Sequence, residues 1–364
     1  MDALTTPSNW QKVRLGDIGK PCMCKRVMKH QTTRYGEIPF YKIGTFGNTA
    51  DAFISKKLFL EYKTKYSFPK KGDILISASG TIGRAVIYDG KPAYFQDSNI
   101  VWIDNDETLV KNDFLFYAYS NIKWNTEHTT ILRLYNDNFR NTLIPLPPLN
   151  EQIAIANILS DVDRYLYSLD ALIIKKEGVK KALSFELLSQ RKRLKGFNQA
   201  WQRVRLGDIC EITTGSLDAN EMVHYGKYRF YTCAKEYYFI DKYAFDTEAI
   251  LISGNGAYVG YVHYYKGKFN AYQRTYVLDN FSEHIMFVKY FLTMFLQSHI
   301  QTNKNEGNTP YIVMATLKDF EILLPPLNEQ IAIANILSGL DNEIISLKNK
   351  KRQFENIKKA LNHD

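Results

Sequence analysis

The chain has 364 residues, 45% hydrophobic and 14% aromatic, which is ample material for two or three domains with real cores and excludes a disordered chain. A formal net charge of +9 favours a polyanionic partner, nucleic acid first. No apolar run approaches the ~20 residues that cross a bilayer, and the opening MDALTTPSNW lacks the basic-then-apolar pattern of a leader, so a cytoplasmic protein without membrane contact is expected. Cys22, Cys24, Cys210 and Cys233 form no CxxC pair and have no histidine at metal-ligand spacing, so neither zinc nor a disulfide framework is expected.

The first recognisable block is WQKVRLGDI at 10–18. Short β-branched and aromatic runs follow, including ILIS at 74–77, AVIY at 85–88 and NIVWI at 99–103, punctuated by Gly, Asn and Asp. That is strand and turn chemistry, interrupted by a helical stretch at 113–120. At 146–160 the texture changes to LPPLNEQIAIANILS. Prolines stop the strand, Asn150 offers an N-cap, and Glu151 stands favourably in the first turn of a long helix. Apolar Ile155, Leu159, Val162, Leu166, Leu169, Ile173, Leu183 and Leu187 follow a heptad seam that Lys176 and Lys180 interrupt.

The chain then begins again. WQRVRLGDI at 201–209 differs from the first block only at Arg203, which replaces Lys12. Strand-like runs such as YVGYVHYY at 258–265 and a helical stretch at 284–299 lead to LPPLNEQIAIANILS at 324–338, unchanged from the first copy. Ile333, Leu337, Leu340, Ile344, Leu347, Phe354 and Leu361 repeat the seam. Each helix is expected to run roughly 50 to 65 Å at ~1.5 Å per residue, and two such helices most simply pack as a coiled coil. The copies are offset by 191 (201 − 10) at their starts and 178 (324 − 146) at the proline block, so the second is 13 (191 − 178) residues shorter, with most of the loss opposite 44–73.

The expected organisation is α+β, with globular domains at 1–145 and 201–323 and conserved helical segments at 146–200 and 324–364. A variable domain opening with WQKVRLGDI, a helix opening with PPLNEQ, and a second copy of both resembles the DNA-specificity subunit of Type I restriction-modification systems. The resemblance covers the whole chain. It implies that each globular domain is a target-recognition domain reading one half of a split, gapped site in double-stranded DNA. It also implies that the helices pair as an antiparallel coiled coil, giving a pseudo-twofold tandem repeat that sets the distance between the readers. The implied partners are methyltransferase subunits, two of them, and through the complex a restriction and translocation subunit. On this resemblance S-adenosylmethionine, ATP and Mg²⁺ belong to the partners, and this chain needs no cofactor. Asn150, Glu151, Gln152, Asn328, Glu329 and Gln330 are the implied docking residues.

Aligning the copies suggests where sequence is read, because a position equal in both is framework and an unequal neighbour can read a different base. The first place is the loop after the central strand, with Ser79, Thr81 and Arg84 against Asn255 and Tyr258, Arg84 being aligned with Gly260. Glycines there let backbone approach a ligand, and a plain hairpin turn fits equally. The second is Gln96, Asp97 and Ser98 against Gln273, Arg274 and Thr275, where Asp97 becomes Arg274. Gln suits adenine, Arg guanine, and Asp accepts from cytosine, each contact contributing ~1 to 3 kcal/mol. Lys42 and Thr45 against Thr232 and Lys235 form a third place. Basic runs at 56–57, 70–71 and 191–193 either neutralise phosphate or are solvated loop charge.

Catalytic motifs are missing. Asn308-Thr309-Pro310-Tyr311 has only a superficial likeness to the Asn-Pro-Pro-Tyr of adenine methyltransferases, no GxGxxG or GxxxxGK[ST] loop occurs, and 104–107 reads as an acidic turn rather than a nuclease centre. A non-catalytic subunit is therefore expected. A coiled-coil assembly scaffold with two protein- or glycan-binding domains is the rival; DNA binding that falls steeply with salt separates the two.

Overall fold

The computed structural model describes residues 9–124, 133–134, 136–303 and 310–362. They fall into two compact units, Met1–Asp170 with Lys350–Asp364, and Ala171–Asn349.

In the first unit β1 (Gln11–Arg14) leads through α1 (Leu15–Ile18) into β2 (Gly19–Met23). There follow β3 (Ile38–Tyr41), β4 (Phe53–Ile54), α2 (Lys56–Lys65), β5 (Ile74–Ser77), β6 (Ala85–Ile87), β7 (Tyr94–Phe95) and β8 (Ile100–Asn105). The segment closes with α3 (Asn112–Ala118), α4 (Asn136–Asn141) and β9 (Leu143–Leu146), before α5 (Leu149–Leu188). The strands form a sheet ordered β2-β8-β5-β6 and a second ordered β4-β3-β7, while β1 pairs antiparallel with β9. Strand β5 is apolar on both faces because it is covered on both: Ile74 and Ile76 join the cluster with Phe114 and Leu115, and Leu75 packs with Trp102, Tyr94 and Phe95.

The second unit has the same order with different strand lengths. It contains β10 (Gln202–Arg205), β11 (Glu211–Thr214), β12 (Tyr228–Tyr231), β13 (Tyr238–Ile240), β14 (Phe245–Ser253), β15 (Val262–Ala271) and β16 (Thr275–Asp279). Then come α6 (Ile285–Asn303), α7 (Met314–Lys318), β17 (Glu321–Leu324) and α8 (Leu327–Asn362). Here one six-stranded sheet, β11-β16-β14-β15-β12-β13, does the work of two. The cause is local: β15 runs unbroken for 10 residues, whereas in the first unit the corresponding stretch is cut by Asp89-Gly90-Lys91-Pro92, with Gly90 at φ +86° and a proline that cannot donate. By its pairing β13 is the counterpart of β4, and the residues missing from the second copy correspond to the loop before β4 and to α2, which has no counterpart there.

Helices α5 and α8 begin at Leu149 and Leu327, two residues earlier than Asn150 and Asn328 would place them as caps. The carbonyls of Pro148 and Pro326 accept the first bonds, from Glu151 and Glu329 at 2.9 Å, so neither asparagine is an N-cap. The two lysines that interrupt the α5 seam are answered: in the second unit Lys176 pairs with Glu343 at 2.8 Å, and Lys180 pairs with Asp341. In the first unit Lys351 pairs with Asp170 at 2.6 Å and Lys358 with Asp163, while Tyr165 packs on Phe354 at 4.6 Å. Rising numbers on α5 meet falling numbers on α8 within each unit, so the pairing is antiparallel in both. Among the described residues no helix is long and apolar enough to cross a membrane, and no group of three or more His, Cys, Asp or Glu could hold a metal.

Candidate nucleic-acid interface

Several of the candidate residues of the first unit converge on one cleft of about 610 Å³. Lys42, Gln96, Asp97 and Ser98 line it, joined by Arg26, Lys29, Asn99 and Arg133. Four basic side chains around one aspartate form a wall suited to an anion, and the Asp97 carboxylate, which accepts from Ser98 Oγ at 3.5 Å, has lone pairs left to accept from a base edge. The loops holding it are tied together: the Ile43 amide donates to Gln96 Oε1 at 3.0 Å, the Lys42 amide to Thr45 Oγ1 at 3.1 Å, and Arg133 Nη2 to Asn99 Oδ1 at 3.1 Å. Lys42 also reaches Asp51 at 2.8 Å. Ser79 is buried, its hydroxyl donating to Asn99 Oδ1 at 2.9 Å, so it supports the wall rather than facing outward. Thr81 and Arg84 are exposed on the neighbouring turn, where Arg84 Nη2 donates to the Gly47 carbonyl at 3.3 Å.

In the second unit the candidate residues lie along a rim, and Tyr258 also lines a cleft of about 530 Å³ with Tyr261, Lys289 and Gln297. Gln273 and Arg274 are exposed at the turn between β15 and β16, and Lys235 lies over the exposed ring of Tyr258 at 5.1 Å. Asn255 bridges to Tyr311, and the Gly256 amide donates to the Pro310 carbonyl at 2.9 Å. Those contacts make Pro310 and Tyr311 part of the domain's closing segment; Asn308 and Thr309 lie outside the described residues. Two candidates are corrected. Thr275 is 0% exposed inside β16, and Thr232 is buried at the end of β12, so neither side chain is on the surface.

Strand register also corrects both loop alignments. Ala78 N bonds Asn99 O at 2.7 Å, and Gly254 N bonds Arg274 O at 2.8 Å. Ser77 pairs with Ile100, as Ser253 pairs with Thr275. Arg274 therefore takes the place of Asn99, not of Asp97, because the turn is one residue shorter in the second copy. The other loop is one residue longer: Gly83 N and Gly260 N donate to Ser77 O and Ser253 O at 2.9 and 2.7 Å, so Arg84 corresponds to Tyr261 and not to Gly260.

The repeated residues have a different task. Trp10 Nε1 donates to Glu151 at 2.9 Å, and Trp201 Nε1 to Glu329 at 3.1 Å. Gln152 holds the Lys111 amide at 2.9 Å and the Pro147 carbonyl at 2.9 Å, and Gln330 holds the His284 amide at 3.0 Å and the Pro325 carbonyl at 2.8 Å. Gln152 and Gln330 are 1% exposed and Glu329 is 0%, so these three side chains, expected at a docking surface, instead clamp each globular domain to its own helix. Glu151 is half-buried with the same inward task, and only Asn150 and Asn328 are exposed. A third clamp went unnoticed in the sequence. Tyr117 donates to Asp163 at 3.0 Å, and Asp163 holds Lys358; Tyr290 donates to Asp341 at 2.7 Å, and Asp341 holds Lys180. Burial alone would raise the Asp341 carboxyl, but the bonds from Lys180 and Tyr290 hold it below the usual carboxylate range. Burial, followed by the neighbouring aspartate, pushes the Tyr117 hydroxyl up.

Against known proteins, the family model described as the Type I restriction modification DNA specificity domain matches the chain twice, over residues 7–176 and 198–356. The chain belongs to the type I restriction-modification specificity subunits. A Haemophilus influenzae protein classed as a type I restriction enzyme specificity subunit is 64% identical over 148 residues, which is 40% of this chain and 38% of that one. The EcoDI type I restriction enzyme specificity subunit of Escherichia coli is 40% identical over 164 residues, 44% of this chain and 36% of that one. The matched segments thus span under two fifths of the length of either relative. The crystal structure of the S subunit of a type I restriction-modification system from M. genitalium, 18% identical, superposes with a TM-score of 0.70 over 99% of this chain and 97% of that one, and shares the fold.

In this specificity subunit the residues that sequence reasoning missed fall into two sets. Arg26, Lys29 and Arg133 join the cleft from loops separated by about a hundred positions, and single basic residues at such spacing carry no pattern. Tyr117 and Tyr290 stand 46 and 51 residues before Asp163 and Asp341, and that unequal spacing hides in the sequence a pair that the fold brings to equivalent carboxylates.

Proposed function

We propose that this chain is the non-catalytic DNA-recognition subunit of its complex, each unit reading one half of a gapped duplex target. The observation that supports this best is the contrast within a duplicated unit: the Trp-Glu, Gln and Tyr-Asp-Lys clamps are the same in both, while the polar wall over β3, β7 and β8 differs from the rim over β12, β15 and β16. Identical frames with unequal surfaces suit two readers of different half-sites. Lys42, Gln96, Asp97, Ser98, Asn99 and Arg133 are assigned to one half, and Lys235, Asn255, Tyr258, Gln273 and Arg274 to the other. Thr45 and Ser79 brace the first wall, and Thr81 and Arg84 flank it.

Methyltransferase subunits, two of them, are assigned to the outward faces of α5 and α8. Ile158 and Ile336, and Val179 and Ile357, are repeat-equivalent apolar residues left exposed along them, and Asn150 and Asn328 are exposed at the helix starts. A restriction and translocation subunit joins through them, and S-adenosylmethionine, ATP and Mg²⁺ act on those partners. The test is protection of duplex DNA by the chain assembled with a methyltransferase partner: one gapped sequence should be retained above background, with affinity falling steeply as salt rises. Protection of no gapped sequence at any salt contradicts the reading and leaves the scaffold.

A further inference from the structure

Tyr35 and Tyr225 are 87% and 96% exposed, the two most exposed large hydrophobic side chains among the described residues. They occupy the same place in the two copies, in Arg34-Tyr35-Gly36 and His224-Tyr225-Gly226, ahead of the matched Phe40-Tyr41 and Phe230-Tyr231. Both loops are built and not slack. Thr33 and Phe53 exchange backbone bonds of 2.9 Å, and the Val223 amide donates to Phe239 O at 2.9 Å, so each tyrosine follows a residue pinned to the neighbouring strand. The Thr33 hydroxyl adds a bond to the Tyr35 carbonyl at 2.7 Å. Each following glycine is packed so closely that a Cβ would lie 2.7 Å from Phe53 Cβ at Gly36 and 2.5 Å from the Ile240 amide nitrogen at Gly226. The backbone that presents the ring is thus fixed from both sides.

A residue equal in both copies is ordinarily framework, and framework is buried or bonded; these two phenols are neither. A residue that reads a base differs between the copies, and these do not. What two unequal half-sites have in common is their sugar-phosphate backbone, and a tyrosine hydroxyl is a neutral donor well suited to a phosphate oxygen. In the first unit the loop is continuous with the basic cleft, since Lys29 and Thr32, just before Tyr35, line it. We propose that Tyr35 and Tyr225 are matched backbone contacts, one per half-site, whose hydroxyls donate to DNA phosphates and set the depth at which each unit rides on the duplex. This rests on the DNA-recognition reading above.

The experiment uses the full chain assembled with its methyltransferase partner, the gapped duplex that the complex methylates, and a duplex of equal length without that site. Y35F and Y225F remove only the hydroxyl from an exposed ring, so folding is spared. Each is expected to weaken binding roughly tenfold on both duplexes, with the ratio between them unchanged. Because no charge is lost, the slope of log affinity against log salt should stay that of the unsubstituted complex. Unchanged affinity in both variants, or a loss confined to the target duplex, overturns the proposal. If the unsubstituted complex retains no gapped duplex, the parent reading fails and this one with it.

Discussion

The two units differ most where they face outward and least where each globular domain meets its helices. In the second unit Glu329 is fully buried, with Arg193 at 2.6 Å and Trp201 as partners; in the first, Glu151 is half-buried and bonds Trp10 and Asn9 without an arginine. The carboxylate, the indole and their spacing are kept, and the third partner is free to vary. Gln152 with Gln330, and Tyr117-Asp163 with Tyr290-Asp341, keep their partners as well. By contrast the sheet is split in one unit and continuous in the other, and the two outward loops each change length by a residue. The difference teaches that sequence identity between the copies marks attachment or, as at exposed Tyr35 and Tyr225, a surface contact proposed for both halves, while the rest of the surface is free to drift.

That contrast is open to direct attack. Glu329→Ala removes a fully buried carboxylate and leaves the solvent-accessible Arg193 guanidinium and an indole N–H without their partner, and is expected to cost about 3 kcal/mol in chemical denaturation followed by tryptophan fluorescence. Glu151→Ala, without an arginine to strand, should cost about 1 to 3 kcal/mol. Equal losses would mean that the arginine adds nothing to the second clamp. Tyr117→Phe and Tyr290→Phe each remove one hydrogen bond to a charged carboxylate, and each should cost about 1.5 to 3 kcal/mol by the same denaturation experiment, alike in the two units. Unequal losses would break the claim that the clamp is shared. At the outward surface Arg274→Ala should relax base preference in one half-site only, by ~1 to 3 kcal/mol of discrimination, with the other half-site read as before. Relaxation of both halves in a binding-selection experiment would dissolve the separation of the readers.

The smallest effect expected is on pH. Burial lowers His263, whose ring contacts the Ala234 carbonyl at 2.8 Å, and burial lowers His284, both in the second unit. A histidine held below its ordinary value of 6.5 takes up its proton more readily in the unfolded chain, so stability is complete above that value and falls as pH drops below it. Hydrogen exchange at pH 7 and pH 5.5, corrected for intrinsic rates, should show the second unit opening more at the lower pH. No change there would place the histidines outside the folding equilibrium.

Much of this was legible in the residues. The heptad stripes mark both long helices because burial on one helical face imposes that period, and the central ILIS strands announce themselves because they are covered on both sides. What could not be read was anything decided by a single residue of register. Gln96 and Gln273 align in the sequence because they are the same residue type, yet backbone pairing sets Arg274 against Asn99, which also moves Thr275 into the sheet. The docking role expected for Gln152, Glu329 and Gln330 went the same way: a polar run at a helix start reads as surface, and only the fold shows that the amides and carbonyls of other segments reach in to meet it.

The central claim is that each unit reads its own half of one target. Replacing residues 10–145 with the corresponding domain of another specificity subunit, then mapping methylated bases by single-molecule sequencing in cells that carry the partner methyltransferase, tests it most directly. The account predicts that one half of the methylated sequence changes while the other half stays as it was. A change in both halves would contradict it.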